Sequence, residues 1–454
     1  MKDDVMFPEG RPARRGLASL PLERLYLWLA VPAGLLFVFL NPPFAGVPDE
    51  LAHYLRALAL AQGELGRRAE APKDYVDLVG SVRAEDERQR WGGLDPEGVR
   101  RALTVRPGPE LAQFHCRIGY AYPFAFLPQA LVLKLGLEAR APPLVTFLLA
   151  RLVTLLLATW LVHAAIRVAP TGKLVFALVA LLPEAFQQMA SVSYDALHFG
   201  VLLYFSAHVL ALAHGTRSAT RRELGLAVLL SLGGTLLKPG YTAMALLVLL
   251  VPRRHFRGPR AHGAFVLGTL ALNGAALALG LFWFGMGIPV EDGQREAQMA
   301  LVTGSPLAFL GVVVNTLYLG LQGLWEGLVF RSGQSSSTLA PLTYVLVGCA
   351  CVVLLRSQDE LTRPTPAQRA VLLGTVLIQT VLIHVPLFLL TPVGRPVVLG
   401  LQGRYFMVLV PPLVLGLAGL SLRSEWVRRH LRAALIVFAV VLLACAMVHV
   451  LRLH

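Results

Sequence analysis

Eleven apolar blocks, each nearly free of charge and separated by polar stretches, dominate this sequence. Backbone N–H and C=O groups must be paired inside hydrocarbon, so blocks of this kind fold as membrane-spanning helices. They are Leu25–Leu40, Leu144–Ile166, Leu174–Ala190, Ala196–His214, Leu224–Leu237, Tyr241–Val251, Gly263–Phe284, Leu339–Leu355, Ala370–Leu390, Tyr405–Leu420 and Leu431–Leu451. Several fall short of the ~20 residues a straight span needs, so their helices are expected to extend outward. Composition agrees: 56% of residues are apolar and 15% charged, whereas soluble domains carry about a quarter charged residues. A series of soluble domains, a disordered chain, collagen, a coiled coil and a disulfide scaffold are excluded. The expected fold is all-α, a polytopic membrane helical bundle of about 11 transmembrane helices with outer interfacial helices, forming one membrane domain over 1–454.

The net charge of +14 would suit nucleic acid if it were clustered with aromatic residues. Instead it is dispersed: Arg217, Arg221 and Arg222; Arg253, Arg254, Arg257 and Arg260; Arg356, Arg363 and Arg369; Arg423, Arg428, Arg429 and Arg432. Each group lies between apolar blocks with few interleaved aromatics, Phe256 and Trp426 alone, the pattern of cytoplasmic loops facing anionic lipid. No nucleic-acid partner is expected; membrane lipid is. The four cysteines, Cys116, Cys349, Cys351 and Cys445, have neither disulfide nor zinc spacing. Arg11, Arg14, Arg15 and Arg24 precede the first block, and Asn41-Pro42-Pro43 follows it without a small-residue cleavage signal. This reads as an uncleaved signal-anchor, with 1–24 cytoplasmic.

Placing every basic loop inside closes the parity with eleven spans, provided two apolar stretches do not cross. These are Tyr120–Leu137, containing Pro123 and Pro128, and Pro306–Phe330, rich in Gly, Asn and Gln. Both are expected at the outer interface or as re-entrant segments. The pair Leu224–Leu237 and Tyr241–Val251, broken at Lys238-Pro239-Gly240, must form a tight hairpin to keep Arg253–Arg260 inside. The extracytoplasmic side then receives a long loop with interfacial helices, 41–143, a second segment, 285–338, the turn Ser191–Asp195 and the loop Thr391–Arg404. No internal repeat is visible, unlike transporters built from two matching halves.

Three groups of residues on that side could carry chemistry. The first is Pro48-Asp49-Glu50-Leu-Ala-His53, where Pro48 suits the first helical position and Asp49 and Glu50 its first turn. A helix to about Gln62, with Gly63 as stop, sets His53 four residues from Asp49 and three from Glu50. These carboxylates serve either as ordinary helix-start residues or as a general base or cation ligand backed by an imidazole. The second group is Glu184, Gln187, Gln188, Ser191, Ser193, Tyr194, Asp195 and His198. Glu184 lies inside an apolar span, where an ionisable group is costly, and Asp195 can reach His198 one turn on. This set is either a helix-to-helix hydrogen-bond network with an N-cap or part of a site. The third group is the outer cations Arg151, Lys238 and Arg404, which either snorkel to headgroups or meet a phosphate. Trp91, Tyr120, Tyr122 and Trp325 read as interfacial anchors or core.

Taken in order, Asn41-Pro-Pro-Phe…Val-Pro-Asp49-Glu50…His53-Tyr54…Arg56, Met189-Ala-Ser-Val-Ser-Tyr194-Asp195, Lys238-Pro-Gly-Tyr241 and Leu401-Gln402-Gly403-Arg404-Tyr405-Phe406 resemble segments of the GT-C superfamily of multipass membrane glycosyltransferases. They look closer still to a large bacterial membrane-protein family placed with them. The resemblance runs from Asn41 to about Leu420. It implies a polyprenyl-phosphate sugar donor, a glycan, lipid or protein acceptor, and inverting transfer on the outer face of the bacterial inner membrane. It further implies Asp49 as base with Glu50 beside it, Asp195 as second acid, and Lys238 and Arg404 on the donor phosphate. His53 would tune Asp49, with Glu184, Gln188, Tyr194 and Tyr405 in support. The usual Asp-x-Asp form is replaced by Asp49-Glu50, so a divalent cation on Asp49 and Asp195 stays an open cofactor question. The alternative is a transporter or flippase of a lipid-linked glycan. Such a protein needs polar groups through the whole bilayer, whereas Glu184 lies only ~10 Å below the Ser191 turn and the inner halves of the spans carry no comparable acid.

Overall fold

A computed structural model describes residues 21–44, 46–82, 96–116, 122–285, 290–332, 337–355, 363–418 and 425–452. Trp91 and Tyr120 lie outside these residues, as do Arg356 and Arg423 of the basic groups. The helices in chain order are α1 (Leu22–Leu40), α2 (Glu50–Ala61), α3 (Lys73–Val76), α4 (Leu78–Val82), α5 (Pro96–Thr104), α6 (Leu127–Glu138), α7 (Pro143–Val168), α8 (Lys173–Ala180), α9 (Pro183–Met189), α10 (Asp195–His214), α11 (Arg221–Leu237), α12 (Pro259–Gly285), α13 (Gln294–Gly304), α14 (Pro306–Val329), α15 (Pro341–Leu355), α16 (Pro366–Leu389), α17 (Val410–Leu417) and α18 (Glu425–Arg452). The protein is an all-α polytopic membrane bundle with little sheet. Among the described residues, seven helices are long and apolar enough to cross a membrane: α1, α7, α10, α12, α14, α16 and α18.

The other expected spans are shorter or broken, each for a local reason. Leu174–Ala190 divides into α8 and α9 because Pro183 cannot continue the hydrogen-bond ladder. Tyr241–Val251 is a 3-10 helix, Pro239–Leu250, rather than an α-helix. Tyr405–Leu420 begins as a 3-10 turn, Gly403–Leu409, before α17. The hairpin at Lys238-Pro239-Gly240 is present: His255, just past its second arm, accepts from the N–H of Ala219, just before its first, at 3.1 Å. Arg254 also donates to the Gly215 and Ala213 carbonyls. Both arms therefore return to the end of the bundle that carries Arg217 and Arg254, opposite Asp195.

Pro306–Phe330 differs from expectation in regularity: α14 is one unbroken 24-residue helix. Its contacts nevertheless tie both ends to one end of the bundle. Phe309 packs on Phe388, in the last turn of α16, and Gly327 meets Gly403. Gly240 of the hairpin turn lies against Pro386 of α16, which places the ends of α14 on the Lys238 side. Within Tyr120–Leu137, Pro128 opens α6 instead of interrupting it.

Two main apolar cores divide the molecule, beside a small cluster of Phe309, Val313, Phe388 and Val398 where α14 meets α16. The larger joins α1, α7–α12 and α14–α18. The smaller lies under the polar segment between α1 and α7, packing Tyr54, Leu58, Tyr75, Leu78, Phe126 and Phe147 around a two-stranded antiparallel ribbon, β1 (Arg68–Pro72) with β2 (Leu111–His115). Arg56, fully buried in this lobe, donates to the Leu65 and Gly66 carbonyls. Two capping boxes, Thr220 with Glu223 and Thr365 with Gln368, start α11 and α16 at the basic end.

Helix α10 packs on α7 where Gly200 faces Leu161 and the Ala158 carbonyl; a Cβ there would come within 2.8 Å of Leu161 Cβ. Overpacking such a crossing costs about 1–3 kcal/mol. Gly200→Leu is expected to lower the Tm of the detergent-purified protein, and an unchanged Tm would mean that α7 and α10 are free to part.

Candidate functional site

The site begins with a buried ion pair. Arg151, projecting from α7, donates through Nε to Glu50 Oε1 at 2.8 Å and through Nη2 to Glu50 Oε2 at 2.6 Å. Its remaining donors reach the carbonyls of Val38, Asn41 and Pro42. Glu50 also accepts the backbone N–H of Phe44 and, from the α9–α10 turn, that of Val192. Both side chains are fully buried, and every oxygen of the carboxylate is taken. One carboxylate thus fastens the end of α1, the start of α2, the middle of α7 and the turn before α10. This corrects two expectations: both oxygens of Glu50 are committed to a buried ion pair and backbone N–H groups, and Arg151 is a buried strut instead of a headgroup cation. The physical reason is full desolvation, which a charge tolerates only when paired and hydrogen-bonded.

That clamp sets Asp49. The helix starts two residues later than the Pro48 position suggests, with Asp49 as N-cap at φ 64°, in the left-handed region, and with no side-chain cap bond. Non-glycine residues pay of order 1–3 kcal/mol for such a backbone, and it persists where surrounding contacts impose it. The carboxylate is turned away from its own helix and accepts from Arg404 Nη2 at 2.7 Å. Asp49 is half exposed, at 51%, whereas the Arg404 side chain is 4% exposed.

On the opposite side of Arg404 stands Asp195, the first residue of α10. Its Oδ1 accepts from Lys238 Nζ at 2.9 Å, and its Oδ2 lies 3.9 Å from Arg404 Nε. The Lys238 ammonium sits over the Tyr405 ring at 4.3 Å, with the Tyr241 and Tyr194 rings at 5.6 and 5.7 Å. Four residues separated by up to 355 positions, Asp49, Asp195, Lys238 and Arg404, therefore form one alternating cluster of two acids and two cations. Within it Arg404 is incompletely served: among the described residues, Nε and Nη1 have no hydrogen-bond acceptor. A buried guanidinium with two nitrogens lacking a hydrogen-bond acceptor has the donors to take an anion.

The supporting residues fall into two groups. Tyr194 and Tyr405 line the cluster, as above. Glu184 and Gln188 lie beneath it: Glu184 accepts from Gln188 Nε2 at 3.1 Å and from the Arg331 N–H at 3.2 Å, joining α9 to the strand after α14. Glu184 is thus the helix-linking network, the blander of its two readings, and touches Arg404 only through its field. His53 does not reach the Asp49 carboxylate. Its Nδ1 lies 3.5 Å from Ser193 Oγ, and that oxygen accepts the Asp195 N–H at 3.1 Å. The imidazole is wedged between Tyr194 and Phe126. His53 therefore belongs to Asp195, not Asp49, because α2 turns that face toward the α9–α10 turn. His198 likewise misses the Asp195 carboxylate and packs edge-on against Tyr241.

Three contributors lay outside the candidate set. Tyr241 donates to the Tyr405 carbonyl at 2.8 Å, linking the Lys238 and Arg404 turns. Gln379 of α16 donates to the Gly240 carbonyl at 2.6 Å, bracing the hairpin turn; a glutamine inside an apolar span was its visible sign. Gly403 is required by close approach, since a Cβ would run into the Leu324 carbonyl and the Leu328 nitrogen of α14. Nothing in the sequence marks that crossing.

Among the described residues no group of three or more His, Cys, Asp and Glu side chains could hold a metal ion. Asp49 and Asp195 each already rest on a fixed cation, Arg404 and Lys238 respectively.

Burial holds the His53 imidazole down at about 4, with the Asp195 and Asp49 carboxylates opposing and the Arg404 and Lys238 cations assisting. Its unfolded value is 6.5, so on acidification the unfolded chain takes the proton first. Stability contributed by neutral His53 is complete above 6.5 and drains away toward 4. Thermal unfolding should show that loss in the native protein and less of it in His53→Gln; equal pH profiles would disprove the assignment. A second test concerns the buried pair. Arg151→Leu, which strands Glu50, should cost about 3–5 kcal/mol, and the double variant Glu50→Met with Arg151→Leu distinctly less. A double variant as damaged as the single one would show that the carbonyl contacts, not the charge, carry the clamp.

No curated protein and no solved structure matches the chain at a significant level. The chain does match, over residues 32–417, the family described as Predicted membrane protein (DUF2142), and it belongs to that family.

Proposed function

We propose that this protein is a glycosyltransferase that moves a sugar from a polyprenyl-phosphate donor to an acceptor hydroxyl on the extracytoplasmic face of the bacterial inner membrane. The observation that carries the reading is Arg404: buried, with two guanidinium nitrogens lacking a hydrogen-bond acceptor, beside Lys238 and facing the half-exposed Asp49. The motif resemblance to GT-C glycosyltransferases supports it from the sequence side.

The chemistry follows from charge. Asp49 accepts the proton of the acceptor hydroxyl as that oxygen attacks the anomeric carbon. The bond between that carbon and the phosphate oxygen breaks, and its electron pair leaves with the phosphate. The products are the inverted glycoside and polyprenyl monophosphate; the proton passes from Asp49 to water. A phosphodiester carrying one negative charge becomes a monoester approaching two, so the fixed cations bind the transition state more tightly than the donor. Arg404 can meet two phosphate oxygens through its planar fork, while Lys238 supplies a compact charge steadied by three tyrosine rings. Asp195 fixes Lys238, and His53 and Ser193 hold Asp195 in turn. No step requires a metal ion.

The deciding assay reconstitutes the full chain in lipid with a panel of polyprenyl-phosphate sugars and candidate acceptors. Native protein should transfer one of them, and Asp49→Asn should lose roughly 10²–10⁴-fold in rate. Equal activity in the variant would remove Asp49 as base. Absence of transfer by both, with movement of a lipid-linked glycan across the vesicle, would replace the transferase by a transporter.

A further inference from the structure

The base and the phosphate receptor hold each other in the resting protein. Asp49 can act as a base only when its carboxylate is not committed to a guanidinium, yet its one side-chain hydrogen bond among the described residues is to Arg404. We propose that the Asp49–Arg404 ion pair is a latch opened by the donor's phosphate, so that donor must bind before Asp49 can accept a proton. This rests on the phosphate reading of Arg404 and adds an order to it.

Geometry decides which partner moves. Arg404 is locked: its side chain is 4% exposed, and Gly403 before it is pinned against the backbone of α14. Tyr405 after it is pinned through its carbonyl to Tyr241. Asp49 is 51% exposed and makes no cap bond to α2, so the carboxylate can swing toward water at little cost. Asp195 cannot follow, being 12% exposed and held by Lys238.

The chemistry of the fork decides why it moves. A guanidinium offers two edges to a bidentate oxyanion, and both include Nη2. The nitrogens without a hydrogen bond, Nε and Nη1, lie one on each edge, Nε with Asp195 Oδ2 at 3.9 Å. A phosphate engaging either edge therefore shares Nη2 with Asp49 and sets two anions side by side. Like charges that close cannot both stay, and the more exposed one leaves. Released from Arg404, the Asp49 carboxylate is available to the acceptor beside the donor it has just admitted. Without donor, an acceptor hydroxyl meets a carboxylate whose Oδ2 is held by Arg404.

The experiment measures binding of geranyl phosphate, a short isoprenyl phosphate, to the full-length protein in detergent by isothermal titration calorimetry. Removing the competing carboxylate in Asp49→Asn should tighten binding about fivefold. In an Arg404→Gln background, where binding is weaker throughout, the same change should do nothing. Asp195→Asn, which unseats Lys238 and removes a carboxylate 3.9 Å from Arg404 Nε, should tighten binding distinctly less than Asp49→Asn. If Asp49→Asn binds no better than native while Arg404→Gln weakens binding, the latch is wrong and the phosphate site stands. If Arg404→Gln binds as well as native, the phosphate reading itself fails. Equal tightening by Asp49→Asn and Asp195→Asn would reduce the effect to general repulsion and overturn the latch. Should Arg404→Gln not accumulate as folded protein, the comparison of the two aspartate variants alone decides.

Discussion

The architecture depends on one desolvated ion pair. Glu50 and Arg151 are buried without a water-facing atom, and their combined hydrogen bonds reach α1, the Asn41–Phe44 loop, α2, α7 and the α9–α10 turn. A charge in such a place either finds a full set of partners or does not ionise. The pair therefore dictates where the chain must run after α1: close enough to α7 for three carbonyls to meet one guanidinium. That route forces the left-handed backbone at Asp49 and points its side chain off the helix. The exposed acid of the site is a consequence of the buried acid next to it.

The same logic, with less burial, organises the cluster above. Lys238 and Arg404 would each be costly alone at 21% and 4% exposure. Asp195 and Asp49 offset them, and the tyrosine rings around Lys238 add a polarisable lining. The balance is incomplete only at Arg404. Static neutrality together with a locally unsatisfied donor suits a site that must stay folded when empty yet accept an anion. Rigidity is concentrated on the cation side, through Gly403, Tyr241 and Gln379, and freedom on the Asp49 side.

Much of this was legible residue by residue. Apolar blocks and basic loops announced a multipass bundle because hydrocarbon and anionic lipid act on composition and need no knowledge of the fold. Asp49, Asp195, Lys238 and Arg404 stood out because ionisable groups next to apolar blocks are few. The division of labour between Asp49 and Glu50 was not legible. Adjacent carboxylates on a helix start look alike until one points into the protein and the other out. His53 was drawn to Asp49 by its spacing of four, yet the αL N-cap swings the Asp49 side chain off that face and Ser193 takes its place. Helix lengths differ from what the apolar blocks predict where Pro183, Pro239 and Gly403 break or tighten the ladder inside apolar sequence.

The sequence by itself determined the class of molecule, the residues rich enough in charge to matter, and the hairpin turn at Lys238, since these follow from local solvation and backbone chemistry. Only the tertiary structure decided which acid is buried, which cation is left with unpaired donors, and that four residues from distant parts of the chain meet. Those outcomes are set by desolvation and by close backbone crossings such as Gly403 on α14. Both are properties of surfaces brought together in space, and neither has a signature along the chain.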